Sequence, residues 1–359
     1  LENRHFIGDS HLVLLTDYVD ESCCADVITH ASSPLTGVIS SRISWIARVL
    51  LDLGAASKVK IRLRISFVTQ SLIKMNIAFA AADGVTLNGQ IIAAKQPKAV
   101  VLLNPGTATN TSFYLPFAHF LAEHGYTVML WNYRGFGESR TRSLKGSDIC
   151  FADIGQKDIP AAIAKAKTLH PQLPLYCVGH SAGGQQIGFA HNCNELDGLI
   201  GIAVSTGYFG SMPMGYRIKA HLFFKVISPI SSALFGYVKA EKLNLMEDLP
   251  PKLAKEWGRW CANKDFFFSE KFSKEKPELA CYRTFNFPVQ VFTADDDEIS
   301  TVSNTKSLWK HIKSTKPIEF KWYKASDMPK KSVGHFGYFR KTNQLIWQDV
   351  LAKLNSFSA

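Results

Sequence analysis

The sequence predicts an α/β fold: a doubly wound, mostly parallel sheet with an inserted helical cap. Three observations predict it. From residue 75 onward, short apolar runs alternate with segments of helical apolar spacing, the rhythm of a parallel sheet with crossover helices. Residues 99–103 are apolar throughout, as a strand buried on both faces must be. The stretch Leu175-Tyr176-Cys177-Val178-Gly179-His180-Ser181-Ala182-Gly183-Gly184 ends an apolar run in Gly-x-Ser-x-Gly and continues into small residues suited to a helix over 183–190. That is strand, tight turn, helix, with Ser181 at the turn in a strained backbone conformation and glycines where neighbours crowd it.

The elements follow in order. Residues 1–74 do not share the rhythm. Ile39, Ile43, Ile46, Val49 and Leu50 have helical spacing, and 58–65 alternates as a strand with one basic face. Asp83-Gly84 is a turn signal between strands at 77–81 and 86–92. After the strand at 99–103 comes the loop Asn104-Pro105-Gly106-Thr107-Ala108-Thr109. Phe113, Phe117, Phe120 and Leu121 then mark one face of a helix ending at Gly125, and 127–131 is the next strand. Ile159, Ala162, Ile163 and Ala166 mark the helix before the Ser181 strand, and 199–204 continues the sheet. Residues 208–284 break the pattern with prolines and aromatics, among them Phe223, Phe224, Phe235, Trp257, Trp260, Phe266, Phe267 and Phe268, as a helical cap would. Most of these rings form the cap's own core, and some line a pocket. The sheet resumes with strands at 289–293 and 318–323. A loop carrying Gly334-His335-Phe336-Gly337 follows, and a closing helix is marked by Trp347, Val350, Leu351 and Leu354.

Composition narrows the class. At 359 residues, 46% hydrophobic and 20% charged, the chain is an ordinary globular one. The net charge of +11 is scattered, which points to a solvated basic surface and away from nucleic acid, while weak attraction to a lipid surface is compatible with it. Seven cysteines without a C-x-x-C pair argue for a reducing, cytoplasmic setting and against a disulfide scaffold or zinc site. The first residues form no secretory signal. The most apolar stretch, 221–238, holds Lys225, Pro229 and several serines and does not read as a membrane span.

A serine hydroxyl needs a base within hydrogen-bond reach, and the base needs an orienting carboxylate. With an elbow serine, the partners follow in the order acid, then histidine. His191 lies on or near the elbow helix, His221 in the cap and His311 within a helix, so only His335 sits in a glycine-flanked loop after the last strand. The acid belongs after the strand at 289–293, where Asp295-Asp296-Asp297 stand in a row. Asp297 is preferred because Asp-Glu-Ile-Ser turns an apolar residue into the next helix, with Asp296 second. The oxyanion of an acyl-transfer intermediate needs two donors. One is the Ala182 N–H. The other comes from the loop after 103, Gly106 first and Thr107 second, since Pro105 has no N–H.

These blocks, together with Tyr133-Arg134-Gly135-Phe136-Gly137-Glu138-Ser139 and Glu256-Trp257-Gly258-Arg259-Trp260-Cys261, resemble the α/β-hydrolase superfamily over residues 75–359. The nearest likeness is to the branch of predicted hydrolases related to serine aminopeptidases and monoacylglycerol lipases. The resemblance implies a serine hydrolase of carboxylic esters, with catalytic Ser181, Asp297 and His335, an oxyanion hole of Gly106 and Ala182, and no cofactor or metal. The expected substrate is a small ester with a short- to medium-chain apolar acyl group. A peptidase, an acyltransferase or a non-catalytic binding protein on the same scaffold are the alternatives. The expected organisation is an N-terminal extension at 1–74, with Met75 as a natural start of the hydrolase, core at 75–207, cap at 208–284 and core again at 285–359.

Overall fold

The computed structural model describes residues 73–277 and 282–358, and the backbone of four earlier strands. Those strands, Asn3–Phe6, Leu12–Val19, Ser22–Thr29 and Lys60–Phe67, form a sheet of their own in chain order, the last pair parallel. The helix expected around 39–50 lies outside the described residues. The chain divides into compact units at Ser71 and Leu72, ahead of the expected junction. Met75 stands inside the first strand of the second unit, where it pairs with Ile91, so this strand begins before the methionine proposed as a start.

The second unit is built on eight strands: β1 (Ile73–Ala80), β2 (Thr86–Ala93), β3 (Ala99–Asn104), β4 (Tyr126–Trp131), β5 (Leu175–His180), β6 (Gly198–Ile202), β7 (Val289–Ala294) and β8 (Ile318–Tyr323). Their order across the sheet is β8-β7-β6-β5-β3-β4-β2-β1. β1 and β2 join antiparallel to the β4 edge, and every other pairing is parallel. Strands β3 to β7 are buried throughout because both faces of the sheet are covered there. In β3, Val100 and Leu102 enter one core while Ala99, Val101 and Leu103 enter the other. Helices α1 (Leu115–Glu123) and α9 (Gln344–Phe357) pack on the second face, and α2 (Ile159–Lys167) and α8 (Val302–Trp309) on the first. The chain is thus doubly wound, with the strand order reversing between β5 and β3.

Three expectations about local structure need correction. Phe113 precedes α1, in a 3-10 turn over Thr111–Tyr114. The helix expected over 183–190 is a single turn, α3 (Ala182–Gln185), followed by a 3-10 turn, Ile187–Phe189. Its glycines are poor helix formers, and a Cβ on Gly188 would run into the Tyr282 ring at 2.2 Å. His311 follows α8 instead of lying in it, and its Nε2 meets Asp265 Oδ1 at 3.1 Å. The strand expected at 318–323 is β8, at the sheet edge, so Phe320 and Trp322 remain 40% and 39% exposed.

Between β6 and β7 the described residues form α4 (Met214–Leu222), α5 (Ser228–Phe235), α6 (Pro251–Cys261) and α7 (Glu270–Glu275). A π turn, Phe223–Ile227, fuses α4 and α5 into one helix. The widened turn stands where the Pro229 ring would otherwise meet the Lys225 carbonyl. Among the described residues this helix, Met214–Phe235, is the one long and apolar enough to cross a membrane by length and composition. A window begun at 221 misses its first turns. Arg217, Lys219 and Lys225 punctuate it, and its apolar exposure is one-sided.

Candidate active site

The site begins at the end of β5. Ser181 has φ +50° and ψ −118°, a region that side chains avoid. The strain is held by the Ser181 N–H, which donates to Ile202 O at 2.9 Å, and by the two flanking glycines. A Cβ on Gly179 would meet Gly184 Cα at 2.7 Å, and one on Gly183 would meet Asn104 O at 2.5 Å. Only glycine lets β5, α3 and the end of β3 approach this closely.

The loop after β7 and the loop after β8 meet beside Ser181. His335 Nδ1 lies 3.0 Å from Asp297 Oδ2 and 3.1 Å from Oδ1. Asp297 is buried, and its Oδ1 also accepts from the Ile299 and Ser300 amides at 2.9 and 2.7 Å. Burial pushes its carboxyl up, but the His335 ring and these amides outweigh burial and hold it below its ordinary value. The other two aspartates each hold a neighbouring loop. Asp296 accepts from the Gly334 and Val333 amides, both at 2.9 Å, and from Ser332 Oγ at 3.0 Å, clasping the loop that carries His335. Asp295 accepts from the Ala325 amide at 2.8 Å.

Ser181 and His335 both line a cavity of about 870 Å³. Among the described residues no hydrogen bond joins their side chains, and such bonds often tighten only when substrate is bound. The floor is Gly106 to Asn110, His180 and Gln185. Phe209, Met212, Tyr216, Phe223, Phe224 and Trp257 close it from the insertion. Phe235 does not reach the cavity. It is 42% exposed and lies under Lys239 Nζ, 3.5 Å from the ring centroid. Trp260, Phe266, Phe267 and Phe268 pack among themselves and against Phe189 and Tyr282.

The two amides expected to face an oxyanion differ. Ala182 is the first residue of α3, so its N–H has no intrahelical partner. Gly106 N–H is occupied and donates to Tyr114 Oη at 2.8 Å. Among the described residues Thr107 N–H donates to no protein group, and the buried Thr107 Oγ1 is also unpartnered.

Tyr114 and His180 are the residues that sequence reasoning missed. His180 Nε2 is 2.9 Å from the His335 carbonyl, which can only accept, so Nε2 carries the hydrogen. Nδ1 is then free to accept from Tyr114 Oη at 2.7 Å. One chain of hydrogen bonds therefore runs from the Gly106 amide through Tyr114 and His180 to the backbone of His335. The available signal was the place of His180 at the end of a strand buried on both faces, where an imidazole has to find partners. Arg134 and Tyr133 also support the site from below. Arg134 Nε bonds Asp158 at 2.6 Å, and Tyr133 Oη donates to Pro105 O at 2.8 Å.

His180 has a measurable consequence. Burial first, then the neighbouring His335, lowers its pKa from 6.5 to about 3, so the folded ring stays neutral. The unfolded ring takes a proton near 6.5. Stability is therefore full above about pH 6.5 and falls as pH drops toward 3, by about 1.4 kcal/mol per unit within that window. Urea unfolding at pH 7 and pH 5 is expected to differ by about 2 kcal/mol from this one group. His180→Gln should remove that difference, and an unchanged pH dependence in the variant would assign it elsewhere.

The sheet order, the elbow serine and the insertion between β6 and β7 give the chain an α/β-hydrolase fold. Residues 95–250 match the profile of the family described as serine aminopeptidase, S33. A soluble variant of monoglyceride lipase from Saccharomyces cerevisiae, in complex with a substrate analogue, is similar over 81% of this chain and 97% of its own, with 15% identity and a TM-score of 0.55. DcsB, solved with its substrate analogue, covers 80% of this chain and 100% of its own at 14% identity and TM-score 0.53. A thermostable carboxyl esterase from Bacillus coagulans covers the same shares at 12% identity and TM-score 0.50. At these identities the likeness concerns the fold. No curated protein matches the sequence.

Proposed function

We propose that this protein is a serine hydrolase that cleaves carboxylic esters. The observation that carries the reading is the shared cavity: Ser181 and His335 line it together, and Asp297 fixes the His335 ring from behind. Asp297 accepts the Nδ1 hydrogen, which leaves Nε2 as the base. Nε2 takes the Ser181 proton as Oγ attacks the ester carbonyl. The Ala182 and Thr107 amides stabilise the oxyanion. Collapse expels the alcohol, which receives the proton from His335, and leaves an acyl-Ser181. Water, deprotonated by His335, then releases the acid and restores the serine. The test is a panel of p-nitrophenyl esters of rising chain length beside aminoacyl anilides. Turnover of esters and not anilides is expected, and the reverse pattern would replace this reading.

The apolar cap side of the cavity suits an acyl chain of short to medium length. Phe224 lines it and packs 5.0 Å from Trp257 and 5.5 Å from Phe209, centroid to centroid. Phe224→Ala is expected to shift preference toward longer esters, while Phe235→Ala, outside the cavity, leaves it unchanged. An unchanged preference in Phe224→Ala would put the acyl site in the core instead.

One observation favours a peptidase as the second reading. Glu247 lines the cavity with Oε1 buried and unpartnered, while Oε2 accepts from the Gly137 amide at 2.7 Å. A carboxylate so placed could receive the ammonium of a peptide N-terminus, and the anilide arm of the panel reads that directly.

A further inference from the structure

The fused helix Met214–Phe235 carries an apolar stripe on its exposed side. Met214, Ile218, Leu222, Val226, Ile230 and Leu234 recur at every fourth position and are 65%, 59%, 50%, 44%, 54% and 71% exposed. Four residues of α-helix turn 40° past a full circle, so this repeat would drift around a regular helix. The π turn at Phe223–Ile227 under-winds the middle and pulls the stripe back onto one side. The opposite side, with Ala220, Phe223 and Ser228, is buried. Phe235, Leu243 and Leu245 extend the exposed apolar surface beyond the helix end.

Two further features say what covers this surface. The helix contains Arg217, Lys219 and Lys225 and no acidic residue, and Lys239 and Lys242 follow it with Glu241 between them, on a chain of net charge +11. The stripe is also continuous with the cavity, because Leu222 and Leu245 are exposed on the outside and line the cavity that holds Ser181. An amphipathic helix with cations on its flanks lies in the plane of a membrane interface, its apolar side in the acyl boundary and its cations near anionic headgroups. A second copy fits less well, since a twofold interface would set the same cationic patch against itself.

We propose that this helix docks the protein on a bilayer surface containing anionic lipid, with the cavity opening toward the membrane. The docking stands independently of the ester reading, which explains only why such an opening is useful.

The experiment is flotation of the full chain with vesicles of phosphatidylcholine alone and of phosphatidylcholine mixed with phosphatidylglycerol. The protein is expected to float with the mixed vesicles, less with the neutral ones, and less at high salt. The combined variant Ile218→Asn, Val226→Asn, Ile230→Asn, Leu234→Asn touches no residue that lines the cavity and should bind about a hundredfold more weakly. Its turnover of soluble p-nitrophenyl acetate should match wild type, which also reports folding. If the combined variant fails to fold, Lys225→Glu and the pair Ile230→Asn, Leu234→Asn should each show partial loss. Wild-type protein that stays off both kinds of vesicle overturns the proposal, as does a folded variant that binds like wild type. A wild-type dimer that the variant dissolves would give the stripe to a second copy. Because flotation reads binding without turnover, absence of esterase activity would leave this result intact and count only against the catalytic reading.

Discussion

Ser181→Ala and His335→Ala are each expected to lower kcat by about 10⁴ to 10⁶, and the double variant by no more than the larger single loss. The size follows from their joint action. Without the hydroxyl no acyl-enzyme forms, and without the imidazole the hydroxyl keeps its proton. What survives is the residual catalysis of the oxyanion donors and of substrate binding. Steady-state kinetics of the two singles and the double measures this. Losses that multiply would mean that the two groups act in separate steps.

The second large effect is Asp297→Asn, expected to cost about 10⁴ in kcat while preserving the fold. Oδ1 accepts the Ile299 and Ser300 amides, so the amide oxygen of asparagine stays there and its NH₂ takes the place of Oδ2. That NH₂ then faces His335 Nδ1, 3.0 Å away in the present geometry, and can only donate. Nδ1 is forced to accept, the ring hydrogen moves to Nε2, and the base that should meet Ser181 is protonated. Asp296→Asn acts differently. It sets an NH₂ against one of the backbone donors of the His335 loop, so a loss of about 10² is expected from displaced geometry, with the pH profile retained. Asp295→Asn keeps an acceptor for the Ala325 amide and should stay within about 0.5 kcal/mol of wild-type stability. Kinetics of the three variants ranks them. A crippled Asp296→Asn beside a mild Asp297→Asn would reverse the assignment.

The strands were legible because a parallel strand covered on both faces has no polar alternation, as 99–103 shows. The elbow was legible because steric crowding leaves only glycine at 179 and 183. Where side-chain partners come from distant loops, the sequence was silent. Nothing in it says that Tyr114 takes the Gly106 amide, or that His180 holds the His335 carbonyl, since these contacts depend on how three loop ends converge. Phe235, grouped in the sequence with rings of the cap core and pocket, belongs to neither for a related reason. Its direction depends on the phase of a helix whose winding changes at Phe223–Ile227, and a strict 3.6-residue repeat cannot follow that change. The row of aspartates shows the intermediate case, in which the turn was recognisable but the separate duty of each carboxylate was not.

The central claim, that Ser181 is the nucleophile of a hydrolase, is tested most directly by labelling. The protein is treated with a fluorophosphonate and the adduct is located by peptide mass spectrometry. One adduct per chain on Ser181, absent from Ser181→Ala and strongly slowed in His335→Ala, is the expected result. An unlabelled wild-type protein, or a label that persists in Ser181→Ala, would contradict it.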